Sequence, residues 1–165
     1  MNGLAPRLTH FRIGVIVKYR VMTLVALSAL LVLAGCTGKV EPDKLNSQID
    51  VFDVKLLSDI DYTEINGVVS TKEPCLHGYE RNFEDLDVII GYGFDNKIRK
   101  ITTLNSGTSL FGIKPGMSFE EGKTKIIKAG FKDQKPPFTF SAYGYSITFL
   151  VDGDNINGLT LEPID

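Results

Sequence analysis

The chain has 165 residues, eighteen Lys and Arg against twenty Asp and Glu, two histidines, two cysteines and no tryptophan. All twenty acids lie beyond Cys36 with only fourteen of the bases, so that part carries a net charge of −6, which argues against nucleic acid as a partner because phosphate binding calls for a basic face. About 130 residues beyond Cys36 is one domain's worth of chain, enough for a single core without crosslinks.

Residues 1–20 hold Arg7, Arg12, Lys18 and Arg20 and no acid, and Val21 to Leu33 runs apolar except for Thr23 and Ser28. A spanning helix needs roughly 20 apolar residues, whereas a basic stretch followed by 7 to 15 apolar residues and a small-residue ending has the form of a secretory leader. Leu33-Ala34-Gly35-Cys36 resembles the lipobox of bacterial lipoproteins. The resemblance implies cleavage before Cys36, acylation of its thiol with chains such as palmitate, and residence in the cell envelope held by lipid. Thr37 is not the aspartate that retains such proteins at an inner membrane, so the resemblance implies the outer membrane where the organism has one and otherwise the outer face of the plasma membrane. Residues 1–35 are thus expected to be a signal peptide, 36–48 a polar tether, and 49–165 a single folded domain.

Between Ile49 and Val69 two readings compete. Leu45, Ile49, Phe52 and Leu56 fit a helical stripe, while the β-branched and aromatic content of IDVFDVKLL favours a strand, the reading adopted. Asn66-Gly67 marks a turn that opens another strand. Val88, Ile90, Tyr92 and Phe94 alternate with Ile89, Gly91 and Gly93, the period of a strand with one packed face, and the chain turns at 95–97 and returns over 98–103. A second hairpin is expected over 138–161, with Tyr145, Ile147, Phe149 and Val151 on one face and a turn through DGDN at 152–155. Ile98-x-x-Ile101-Thr102 and Ile156-x-x-Leu159-Thr160 both interrupt strand alternation just after a turn, which predicts a bulge or a turn-end residue in each and fits either a weak internal duplication or two hairpins under the same turn chemistry.

Between the hairpins, Ser118 and Glu121 form a capping-box pair, Gly130 stands where a left-handed cap belongs and Phe131 follows to fold back, which predicts a helix over 119–129. The expected fold is therefore α+β: an antiparallel sheet built from two β-hairpins with one capped helix packed on it. The stretch GIKPGMSFEEGKTKIIKAGF, taken with the lipobox, resembles the small bacterial envelope lipoproteins of the SmpA/OmlA type. That resemblance implies envelope assembly or partner binding.

No G-x-S-x-G, P-loop or dinucleotide fingerprint occurs in a fitting context, so the domain reads as non-enzymatic, without cofactor or metal. With His10 in the leader, His77 is the one histidine of the mature chain, and Cys75 is its one thiol besides Cys36. DGDNING misses the calcium-loop spacing, and Glu80, Glu84, Asp85 and Asp87 read as a solvated loop. Two features point to binding. Lys123, Lys125, Lys128, Lys132 and Lys135 give residues 123–135 a charge of +4 against Asp133, suited to an anionic envelope polymer or lipid headgroups. Gly91 and Gly93 strip side chains from one face of a strand and leave room for a shallow groove or for a helix crossing close over that face. The expected function is a lipid-anchored binding or scaffold module for an envelope partner, with a surface-held inhibitor or immunity protein as the competing class and a hydrolase behind it.

Overall fold

The computed structural model describes residues 42–135 and 137–164; the segment expected to be a leader and lipobox, with Cys36, lies outside them. Helix α1 (Pro42–Asn46) begins the described chain and buries Leu45 at 2% exposure, so the fold reaches into the segment expected to be tether. Asn46 fixes this start from both sides of its amide: its Oδ1 accepts the Leu56 N–H at 2.8 Å and its Nδ2 donates to the Leu56 carbonyl at 3.2 Å.

The expected strand from Ile49 is only β1 (Ile49–Asp50); beyond it the chain turns through Phe52 and Asp53 at positive φ, which sends Val51, Val54 and Leu56 into the core without any ladder. Strands β2 (Glu64–Ile65) and β3 (Val68–Val69) pair around Asn66 and Gly67, whose φ values of 51° and 82° suit a tight hairpin turn.

The dominant element is one eight-stranded antiparallel sheet, and it overturns the expectation of an α+β domain of two hairpins: the protein is mostly β. Its strands are β4 (Thr71–Cys75), β5 (Gly78–Phe83), β6 (Val88–Gly93), β7 (Ile98–Thr103), β9 (Lys132–Asp133), β10 (Thr139–Ala142), β11 (Tyr145–Asp152) and β12 (Asn155–Pro163), while β8 (Ser109–Leu110) pairs separately with β1. Each expected hairpin is enlarged to a four-stranded meander, and the spatial order β4-β5-β6-β7-β12-β11-β10-β9 joins the two through their last strands. The added strands escape sequence reading for a physical reason. All five residues of β4 are exposed, and β5 sends a charged side chain, Arg81, to the covered face, so neither shows apolar alternation. Lys72, Glu73 and Pro74 on β4 and the two-residue length of β9 blunt both sheet edges against further pairing.

In each meander the register slips once, between Gly91 and Tyr92 against β7 and between Leu150 and Val151 against β12, leaving Arg99 and Asn157 as the extra residues. These positions are equivalent in the two halves. Thr102 pairs with its counterpart Thr160, their hydroxyls 3.0 Å apart, so an approximate two-fold axis passes between them.

One face of the sheet is covered. Across it Ile90, Ile101, Leu161, Ile147 and Phe140 form a cross-strand row, each at 0% exposure and each contributing about 1.5–3 kcal/mol by burial. Helix α2 (Phe119–Lys128) lies on this face. Ser118 Oγ accepts the Glu121 N–H at 3.4 Å, whereas the Glu121 carboxylate turns to Lys125. Gly130 at φ 96° closes the helix, its N–H bonding the Ile127 carbonyl at 2.9 Å while Phe131 bonds Ile126 at 3.2 Å, the paired bonds of a Schellman cap. Gly122 is the contact point with the sheet, where an added Cβ would overlap Ile156 and approach Phe149 to 3.3 Å. Gly122→Val is therefore expected to destabilise the domain by about 1–3 kcal/mol through overpacking, read as a lower urea midpoint with unchanged slope.

Candidate binding groove

The second face of the sheet carries a hydroxyl-rich row, Thr71-Asn82-Ile89-Thr102-Thr160-Thr148-Thr139, across seven strands. Thr139 and Thr148 hydroxyls lie 3.2 Å apart, like the pair on the axis. Such side chains satisfy one another and still present donors outward, so this face tolerates water where the covered face does not.

One register step along, the row is Glu73-Glu80-Gly91-Lys100, with Glu162 on the next strand. Gly78 pairs with Gly93 beside it. Gly91 and Gly93 therefore floor a groove of about 480 Å³, walled by Glu80, Lys100 and Glu162 and flanked at its open end by Cys75, His77, Phe94, Asp95 and Arg99. No side chain is possible at Gly78, where a Cβ would run into the Tyr92 carbonyl. In the second half of the sheet Leu150 takes the place of Gly91 and lies over Gly158, the counterpart of Lys100, so the two-fold is broken at this groove.

The charges in the groove largely neutralise each other. Lys100 Nζ pairs with Glu80 Oε1, and Arg99 Nη2 donates to Asp95 Oδ2 at 2.5 Å. The hydrogen bond from Arg99 holds the Asp95 carboxyl below its usual range, and the Lys97 N–H adds to this. Glu162 has no ion pair among the described residues. At the open end the apolar side chains of Leu76 and Phe94 are 83% and 82% exposed, on the β4–β5 and β6–β7 turns. Phe94 was expected to share the packed face with Tyr92; the strand ends at Gly93 and the turn swings the ring outward.

Beneath the groove, on the covered face, Tyr79 and Tyr92 stack with ring centroids 4.7 Å apart, and Lys72 Nζ lies 3.7 Å from the Tyr79 centroid. Burial pushes the Tyr92 phenol up to about 12, while the hydrogen bond it accepts from the Tyr62 N–H at 3.0 Å works the other way. This stack stiffens the strand that carries both floor glycines.

The residues singled out from sequence fall in two places. Gly91 and Gly93 are in the groove. The five lysines lie around α2 and β9 instead: Lys123 pairs with Asp133 at 2.9 Å, Lys125 with Glu121 at 3.2 Å, and Lys128, Lys132 and Lys135 are exposed. Glu84, Asp85 and Asp87 sit at the β5–β6 connection, apart from Glu80 in the groove wall. DGDN is a hairpin turn in which Asp152 pairs with Asn155. Among the described residues no three His, Cys, Asp or Glu side chains converge as a metal site, and no helix is long and apolar enough to cross a membrane. Glu80, Lys100 and Glu162 were missed as site residues because they are 20 and 62 positions apart along the chain and meet only through strand pairing. Comparison of the chain with protein-family models, with curated proteins and with solved structures gave no match.

Proposed function

We propose that the protein is a lipid-anchored envelope module that binds a partner protein, without catalysis, through the groove and the hydroxyl-rich face around it. The observation that carries this reading is the groove: a glycine floor that admits an incoming side chain, a wall in which Lys100 is paired with Glu80 while Glu162 has no ion pair among the described residues, and Leu76 and Phe94 standing in water at its mouth. Large apolar side chains held out at a concave site are typical of interface anchors. The lipobox supplies the address, since two or more acyl chains, each buried CH₂ contributing about 0.8 kcal/mol, hold a protein to a bilayer where one chain dissociates.

A photo-crosslinker placed at Phe94 in the full-length protein tests the binding reading in intact envelopes. The expected result is one stoichiometric crosslinked partner, lost on Gly91→Leu, where the new side chain must displace Lys100, whose Cβ lies 2.9 Å from the position of the added Cβ. Diffuse crosslinks indifferent to Gly91→Leu would refute it. Anchoring is checked separately: wild type takes up radiolabelled palmitate, and Cys36→Ala neither labels nor stays with membranes. A sole partner that is an enzyme or toxin losing activity in the complex identifies the inhibitor class.

A hydrolase remains the second reading because the same groove gathers Cys75, His77 and the carboxylates of Glu80 and Glu162. Among the described residues no hydrogen bond joins the Cys75 thiol to His77, both of which are exposed, so a nucleophile and a base are present without the link that activates one by the other.

A further inference from the structure

Helix α2 runs beside β10, and the crease between them and the edge strand β9 bears three outward apolar side chains. Phe138, 40% exposed, meets Phe119 edge-on at 5.3 Å near the helix start. Tyr143, 42% exposed, meets Phe131 edge-on at 6.2 Å beyond the helix end. Ile127, 48% exposed, lies one turn after Lys123, which bridges to Asp133 of β9. Lys128 and Lys135 flank this line, exposed and without an ion pair among the described residues, while Lys132, paired with Ser141, lies on the opposite face of β9 from Asp133.

We infer that this edge of the domain is a second, membrane-contacting surface, resting on anionic phospholipid headgroups with the lysines at the phosphates and Ile127, Phe138 and Tyr143 in the interfacial layer. Apolar and aromatic side chains ringed by lysine have the chemistry of interfacial attachment, and the rest of the mature chain, at −10, is repelled from the same surface. The inference rests on the lipid anchor proposed above, because the anchor makes the contact local. From Cys36 to Pro42 is six Cα steps, roughly 20 Å at full extension. The start of the described chain is in turn close to this edge: the Phe111 N–H donates to the Gln48 carbonyl at 2.8 Å, and the Phe111 ring meets Phe131 at 4.9 Å. Docked this way, α2 faces the bilayer and the groove, on the opposite face of the sheet, points away from it toward a partner.

The chain has no tryptophan, so a single reporter can be introduced. Full-length lipidated Ile127→Trp is floated with vesicles of phosphatidylcholine alone or mixed with phosphatidylglycerol, each doped with brominated lipid, and Leu76→Trp serves as the reporter on the groove side. Circular dichroism verifies that each variant is folded. The expected result is flotation with both vesicles but a blue shift and bromine quenching of Ile127→Trp only with phosphatidylglycerol, while Leu76→Trp stays unquenched. Adding Lys128→Gln and Lys135→Gln should weaken docking by on the order of 25-fold, about 5-fold per lysine. Unquenched Ile127→Trp on floated anionic vesicles overturns the inference, as does equal quenching on neutral ones. A blue shift induced by polyglutamate without vesicles reassigns the surface to an anionic polymer and also overturns it. Failure to float with neutral vesicles strikes the anchor alone; flotation of Ile127→Trp with anionic vesicles then still supports the lipid contact, and its absence refutes it.

Discussion

Phe140→Ala is expected to remove a large share of the domain's stability. Phe140 ends the buried cross-strand row at 0% exposure, and its ring packs against Phe149 with centroids 4.9 Å apart. Replacing a buried phenylalanine with alanine costs about 3–5 kcal/mol, the lost transfer energy plus a cavity that the sheet cannot collapse to fill. Domains of this size have only 5–15 kcal/mol in total, so the loss is a large share of it. Its counterpart across the two-fold is Phe83, also at 0% exposure, and Phe83→Ala should cost a similar amount. Urea titrations of both variants check this. A loss below about 1 kcal/mol at either site would contradict the burial described.

The second large effect is expected at Arg81. This guanidinium lies under the sheet on the covered face and makes a two-bond fork with Asp61, Nε to Oδ1 at 2.5 Å and Nη2 to Oδ2 at 2.7 Å, with Nη1 donating to Ser70 Oγ at 3.2 Å. It ties the connection from Leu57 to Ser70, which has only the short β2–β3 hairpin of its own, to the middle of β5. Arg81→Ala removes the tie, the stem packing and the cation in one step, and breaking a buried pair of this kind from one side typically costs 3–5 kcal/mol. Asp61 is 42% exposed at its side chain, so solvent screens part of that and a loss of about 2 kcal/mol is the expectation. Arg81→Leu, which keeps the stem, should recover part of it, and protease cleavage within 57–70 should rise in both.

The same pair sets a pH dependence. The hydrogen bond from Arg81 holds the Asp61 carboxyl below its usual range, burial opposing it and the positive charge of Arg81 adding to it. A carboxyl with a depressed folded pKa contributes stability that is complete above its unfolded value of about 3.9 and disappears as pH falls through the lowered one. Wild type should therefore lose this increment below about pH 4, and Asp61→Asn should be less stable at neutral pH with a flatter acid limb. Parallel wild-type and Asp61→Asn curves over that range would remove the pair from the acid response.

Local chemistry and tertiary pairing divide this protein between them. By itself the sequence determined what depends on neighbours along the chain: the Ser118 cap and Gly130 closure of α2, the hairpin turns at 66–67 and 152–155, and the strand alternation of β6 and β11. The interrupted alternation after Ile98 and Ile156 fixed the position of both bulges, because side-chain period is itself a local quantity. Only the tertiary structure decided the rest. Arg81 in a covered strand reads as a solvent residue until Asp61, 20 positions away, supplies the carboxylate that makes its burial possible. Joining β7 to β12 brings Thr102 opposite Thr160 across 58 residues and makes one sheet of two meanders, a pairing that no local propensity encodes. Gly91 and Gly93 showed that a face was bare, but whether a helix or water would fill it depended on which side of the sheet α2 chose. The helix lies over Ile156 and Phe149, on the apolar face, and so the bare glycines were left open as a groove.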